Sequence, residues 1–325
     1  MNIEFHYYIT KYLALEAGFD KGEAEIIAYS SQYVDDNFIP FKIKTPENDI
    51  YKNFISQTPD ITNPEKKLIR MHLLYHYLPG TPTSTKVSRK DGKMHLLMTT
   101  PASNYSQEIF FETTKSEDLF SLGIATHMLA DTFCHQNFVG TFDEINSMTG
   151  VWETSKHHLG HADAQYKPDI PNLIWHDPRL IDENATIDNT ERILFAAKKL
   201  YSNFLLITSM DEGHWSKVKK SISDIIKPTI TEPELAAEKE QKKERIIKYN
   251  ELFAEFKAED EYNPLKWLDD TIEEDILKKT NPGKELTFKK DFEKSNWYKF
   301  QEALKFYEKI SMGKLAPLFD QMELK

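Results

Sequence analysis

The sequence predicts an all-α protein, a multi-helix bundle with one small β-hairpin and a helical C-terminal extension, and three observations lead there. Apolar residues recur at intervals of three and four in several segments, most of them opened by an N-cap signature. Only one place reads as a pair of strands. Of 325 residues 11 are glycine and 40% are hydrophobic, a composition that folds throughout and builds a full core.

Asp20 and Glu23 form a D-x-x-E capping box, and Ala24, Ile27, Ala28 and Val34 put one buried face on a helix over 21–34. Asn63, Pro64 and Glu65 supply an N-cap, an N1 proline and an acidic first turn; Leu68, Met71, Leu74 and Tyr75 continue that helix until Pro79-Gly80 stops it. Lys86-Val-Ser and His95-Leu-Leu-Met-Thr flank an Asp-Gly turn and are the expected hairpin. Ser116, Glu117 and Asp118 open the most apolar helix, Leu119 to about His135. Asp188 with Glu191 opens another through Ile193, Leu194, Ala197, Leu200 and Leu205. Thr231, Pro233 and Glu234 open a long charged helix ending near Glu259, and a last helix covers roughly 297–310.

Composition shifts once. All 11 histidines precede residue 229, and the remainder is rich in Lys and Glu, which divides the chain into a chemical core, 1–228, and a charged helical extension, 229–325, that packs on the core or serves a protein partner. The net charge of −11 excludes a global field for duplex nucleic acid, so an anionic substrate has to be held locally by a metal or a few cations. The lone Cys134 forms no internal disulfide, and the N-terminus has neither a basic n-region nor an apolar h-region, so the expectation is a cytoplasmic protein. No run of 18 apolar residues occurs, which excludes an integral membrane protein.

The chemistry concentrates in the apolar helix. His127, Asp131 and His135 stand at i, i+4 and i+8, and at about 100° per residue they share one stripe. Burying an uncompensated Asp and two His costs several kcal/mol, which a bound cation offsets; a polar network in which Asp131 pairs with its histidines is the alternative. His72 and His76 repeat the i, i+4 spacing, His76 being the better ligand and His72 reading as a surface residue. His157, His158 and His161 form a further group in which 157 and 161 could chelate one ion. Asp35-Asp36 closes the second helix, and His6 sits in Phe5-His-Tyr-Tyr, as a ligand or as a core residue. His95, His176 and His214 are isolated and read as structural.

That order of ligands resembles the zinc-dependent phospholipase C and single-strand-specific nuclease superfamily, whose members are all-α and hold three zinc ions. The stretches Ala28-Tyr-Ser-Ser-Gln-Tyr-Val-Asp-Asp, His76-Tyr-Leu-Pro-Gly, His127-x-x-x-Asp-Thr-x-x-His-Gln-Asn-Phe-x-Gly and Gly160-His-x-x-x-x-x-x-Pro-Asp also look like a bacterial family of uncharacterised activity, over about residues 1–210. The resemblance implies one zinc on Asp35 or Asp36, His76, His127 and Asp131, a second on His135 with His161 and His157, and a third near His6 with Asp131 as the bridge. Three features depart from the superfamily: its members start with a Trp whose amino group is a ligand, where here Met1 precedes His6 by five residues; the acid four residues beyond the distal His is here Gln165; and the spacing from Asp131 to His135 is shorter. The function so implied is zinc-dependent hydrolysis of a phosphoester, on a lipid headgroup or a nucleotide, with one to three ions and with Asp131 or Asp36 orienting the attacking water. Lys42, Lys44, Arg70 and Arg179 are candidates to touch that substrate, although the first reading of each is a solvated charge. The alternative is a metal-binding structural or regulatory protein whose C-terminal helices take a partner. A di-iron carboxylate protein is disfavoured because it expects Glu and Glu-x-x-His pairs.

Overall fold

The structure is a computed structural model that describes residues 1–59, 69–83, 89–148, 158–210, 214–258, 261–276 and 286–323. Its first element is a π-helical turn, Glu4–Ile9, running directly into α1 (Thr10–Glu16). Helix α2 (Lys21–Asp36) opens on the expected capping box: Asp20 accepts from the N–H of Glu23, whose carboxylate returns the bond to the Asp20 N–H. A short α3 (Ile69–Met71) tightens into a second π-helical turn, His72–His76, and the cap expected at Asn63-Pro64 lies outside the described residues. Helices α4 (Asn104–Thr114) and α5 (Leu119–Cys134) follow, capped by the Ser103 and Asp118 side chains. Beyond them come α6 (Asp182–Ala185), α7 (Asn189–Thr208), α8 (Trp215–Ile226), α9 (Glu238–Glu255), α10 (Lys266–Thr271) and α11 (Asn296–Gln321).

Helix α5 is the axis of the molecule. Every residue from Phe120 to Cys134 is buried, and α2, α4, α7 and α11 pack around it, so polar side chains on α5 have other protein groups as their only surroundings. Gly123 sets the closest of these approaches. A Cβ there would lie 2.4 Å from Ser30 Cβ and 2.5 Å from the Ile27 carbonyl oxygen of α2, nearer than atoms can stand. Gly123→Ala is therefore expected to force α2 and α5 apart and to lower stability by about 1–3 kcal/mol, read from urea denaturation midpoints at unchanged slope.

The core continues across residue 228. Tyr249, Phe253, Trp267, Trp297, Phe300, Leu304 and Tyr307 belong to the same buried cluster as Phe5, Ile27 and Leu129. No described helix is long and apolar enough to cross a membrane.

Of the expected hairpin only the turn and the second arm are described. Lys86–Ser88, its first arm, lies outside the described residues, and in the second arm Met98 bridges to Val139 and Thr99 to Pro79. Asp91-Gly92 does turn, with Gly92 at φ +65°, but Arg89 pairs with Leu180. Two antiparallel hairpins form elsewhere: β1 (Lys42–Lys44) on β2 (Ile50–Lys52), and β3 (Leu173–His176) on β4 (Thr186–Asp188). Each gains a parallel third strand from the C-terminal part of the chain, Leu286–Thr287 on β1 and Ile230–Thr231 on β3. A two-stranded ribbon is marginal by itself, and these long-range partners complete it.

Candidate metal centre

On α5 the i, i+4 stripe delivers His127 and Asp131, 0% and 1% exposed, with His135 at the helix C-cap, 5% exposed. Asp131 faces two ways. Its Oδ2 lies 3.2 Å from His127 Nε2, 3.3 Å from His76 Nδ1 and 3.6 Å from His135 Nδ1. Its Oδ1 lies 3.1 Å from His6 Nε2 and in contact with the Met1 amino group.

The first group of donor atoms comes from three elements. Asp35, at the end of α2, places Oδ1 at 3.6 Å from His76 Nδ1 and 3.8 Å from His127 Nε2, and those two nitrogens are 3.1 Å apart. Asp131 Oδ2 faces the same two nitrogens, and in the four-atom cage so formed every separation that involves a nitrogen is 3.1–3.8 Å. A tetrahedral zinc with bonds of about 2.0–2.1 Å has ligand–ligand edges of roughly 3.3 Å. His6 adjoins the cage, its ring stacked on that of His127 at 3.9 Å and its Nε2 3.9 Å from Asp35 Oδ2. His6 and His76 both sit on π-helical turns, which rotate single side chains out of the α-helical register.

Proton accounting shows what the cage lacks. A backbone carbonyl only accepts, so the ring nitrogen facing one carries the hydrogen. His127 Nδ1 meets the Ser31 carbonyl at 2.8 Å and His76 Nε2 that of Ser56 at 3.1 Å, while His135 Nδ1 meets the His76 carbonyl at 2.7 Å and His161 Nδ1 that of Gln165 at 2.8 Å. The opposite nitrogens of His76 and His127 therefore turn their lone pairs on each other and on two carboxylates. A second proton on His76 answers one neighbour, whereas a cation answers all four. Burial lowers the His76 pKa but the Asp131 and Asp35 carboxylates outweigh it and raise it above the ordinary value. Burial drives those of His6 and His135 down, which keeps both rings neutral and able to coordinate. Burial also pushes Asp131 up, but His135, the Met1 amino group, His127 and His6 hold it well below the usual carboxylate range. Such second bonds from ligand rings to carbonyls are what fixes tautomer and aim at metal sites.

A second group lies beyond Asp131. Asp169 Oδ1 is 3.5 Å from His135 Nε2 and Asp169 Oδ2 is 3.2 Å from His161 Nε2, with the Met1 nitrogen 3.4 Å from both His135 Nε2 and Asp169 Oδ1. Asp169 Oδ1 is buried, and among the described residues it has these ionic neighbours but no hydrogen bond. Spacing by itself does not single out Asp169. The chain reverses at Gln165, φ +56°, between the 3₁₀ turns Ala162–Ala164 and Lys167–Asp169, so the acid eight residues after His161 takes the place sought at Gln165. Its only signal was its position in the Pro168-Asp169 pair of the resemblance motif.

Several expectations need correction. Asp36 is not in the cage: one residue along α2 rotates it away, and its Oδ2 accepts from Tyr262 Oη at 2.6 Å and Gln32 Nε2 at 3.0 Å. His72 is 2% exposed rather than a surface residue, its ring nitrogens without a hydrogen-bond partner among the described residues. Arg179 is committed to Asp177. His158 pairs with Asp163 and His95 with Asp143, apart from the cage, and His157 lies outside the described residues. The described buried His and Asp groups could hold a metal ion at His6–His127–Asp131, at Asp35–His76–His127 and at His135–His161–Asp169. Asp35→Asn is accordingly expected to lower zinc affinity about tenfold or more, and Asp36→Asn to leave it within about threefold, in titrations against a competing chelator.

The C-terminal segment braces the residues that flank these ligands. Arg245 of α9 forks onto Glu4 at 2.7 and 2.9 Å, two residues before His6, and also holds Glu238 at 2.6 Å. Tyr262 holds Asp36, next to Asp35; Tyr307 Oη donates to the Leu74 carbonyl at 2.7 Å, two residues before His76. Gln301 accepts from the Phe54 N–H at 2.8 Å, two residues before the Ser56 carbonyl that orients His76.

No curated protein and no solved structure matches the chain. A family model does, over residues 1–315, and with nearly the whole length covered the chain belongs to that family, described as a family of unknown function, DUF6765.

Proposed function

We propose that the protein is a zinc-dependent hydrolase of phosphoesters. The observation that carries the reading is Asp131: one buried carboxylate with an oxygen toward His6 and the other toward His76 and His127, the arrangement by which a bridging acid holds two cations about 3.5–4 Å apart. Zinc bound there lowers the pKa of a coordinated water toward neutrality and neutralises charge on phosphoryl oxygens. The rest is done by the chain. Asp35 and Asp169, with side chains 27% and 20% exposed against 0–6% for His6, His76, His127, Asp131 and His135, mark the face on which water and substrate enter. Asp35, not Asp36, is the carboxylate placed to orient a water at that face. The order of ligands shared with the zinc-dependent phospholipase C and nuclease superfamily supports the same reading, and a locally held cation resolves how a chain of net charge −11 binds a phosphate.

The test is zinc content after purification without chelator, then a screen of phosphomonoester, phosphodiester, phospholipid and single-stranded oligonucleotide over about pH 5 to 9. Turnover of one class, abolished by chelator and restored by zinc, is expected. A zinc-loaded protein that hydrolyses none of them has a structural or regulatory metal centre instead.

A further inference from the structure

The second group of donor atoms poses a problem of placement. With hydrogens on the Nδ1 atoms of His135 and His161, the Nε2 atoms that face Asp169 present lone pairs, 3.5 Å from its Oδ1 and 3.2 Å from its Oδ2. Neither neutral ring donates to the carboxylate that it faces. A cationic neighbour, the Met1 amino group, stands 3.4 Å from Oδ1. Because the histidines do not hold Asp169, its place is set through the backbone. His135 is fixed by α5, whereas His161 and Asp169 lie on a stretch whose Ala164, Ile170, Leu173 and Trp175 belong to a small buried cluster separate from the main core. His161 is tied by its N–H, which donates to Tyr77 Oη at 3.1 Å. Asp169 needs a tie of its own.

Asn189, the first residue of α7, supplies it. The residue is 0% exposed, and both ends of its amide are engaged. Nδ2 donates to the Lys167 carbonyl at 2.6 Å and to the Ile170 carbonyl at 2.8 Å, two residues before Asp169 and one after it. Oδ1 accepts from the indole N–H of Trp175 at 3.1 Å. That bond sets which way the amide points, because a flipped amide turns its oxygen on two carbonyls and its NH2 on an N–H. Trp175 is itself 2% exposed, and the cap of α7 beside Asn189 is closed by Asp188, which accepts from the Thr190 N–H at 2.8 Å. We infer that Asn189 is the positioning residue of the second metal group: it grips the backbone on both sides of Asp169 and so holds that carboxylate against His135 and His161 for a cation to bind. The inference rests on metal binding in the reading above and not on hydrolysis.

Zinc titration of the full chain against a competing chelator tests this without reference to turnover. The wild type is expected to take up at least two ions. Asn189→Ala should weaken one of them about tenfold or more and leave the other within about threefold. A double-mutant cycle shows which ion is affected: Asn189→Ala should add little to His161→Ala, whereas its effect and that of Asp35→Asn should add. Val218→Ala, a buried truncation in α8, which contributes no residue to the centre, controls for stability and should leave zinc binding unchanged. Unchanged zinc binding in a folded Asn189→Ala, equal weakening of both ions, additivity with His161→Ala, the same weakening in Val218→Ala, or a wild type that takes up fewer than two ions overturns the assignment. If Asn189→Ala fails to fold, Trp175→Phe decides alone, since it keeps an aromatic ring and releases the amide: a loss of about fivefold for the same ion supports the assignment and no loss overturns it. Zinc uptake without turnover of any phosphoester fails the hydrolase reading and leaves this one standing.

Discussion

Asp131→Asn should abolish the response of the protein to zinc while leaving the helical fold in place. The carboxylate supplies an oxygen to each side of the centre, Oδ1 toward His6 and Oδ2 toward His76 and His127, so its loss weakens every group at once. Asparagine keeps the shape but brings a donor. Its amide N–H can bond a bare imidazole nitrogen, which replaces facing lone pairs by a neutral network and supports the metal-free state. Zinc affinity is expected to fall by about two orders of magnitude or more, and turnover with it. Wild-type melting temperature should rise with added zinc and the variant's should not, because a ligand stabilises only the state that binds it. An Asp131→Asn protein with wild-type zinc content would leave the polar network as the account of this cluster.

Arg245→Met is expected to be the most destabilising change outside the centre. Glu4 is 0% exposed and its carboxylate is held by Arg245, so removing the guanidinium strands a charge in the core at a cost of about 3–5 kcal/mol. Glu4 is two residues before His6 on the same π-helical turn, and zinc affinity should drop about tenfold with the loss of that brace. The double variant Glu4→Gln, Arg245→Met removes both charges and should recover most of the stability, as measured by urea denaturation. As a reference, Lys243→Ala, which breaks the solvent-facing i,i+3 pair with Glu240, should cost no more than about 1 kcal/mol. If Arg245→Met costs no more than that surface change, the Glu4 pair is not what holds the first turn.

What the sequence by itself determined is what short-range geometry determines. The capping box at Asp20, the apolar run of α5, the start of α7 at Asp188 and the stripe of His127, Asp131 and His135 follow from spacing, because one helical turn decides both caps and faces. His76, His6 and His161 were found as candidates by residue type, and the structure brings all three to the α5 stripe. The tertiary structure alone decided between Asp35 and Asp36, neighbours whose side chains part by about 100° at the end of α2, one to the cage and one to Tyr262. It also decided Asp169, which reaches the centre only because the chain reverses at Gln165, and the burial of His72, which no local pattern announced. The bonds that brace the ligand segments join residues more than two hundred positions apart, Glu4 to Arg245 and Leu74 to Tyr307. Such contacts leave no periodic trace in a single chain, because their partners are chosen by packing around α5 rather than by neighbours in sequence.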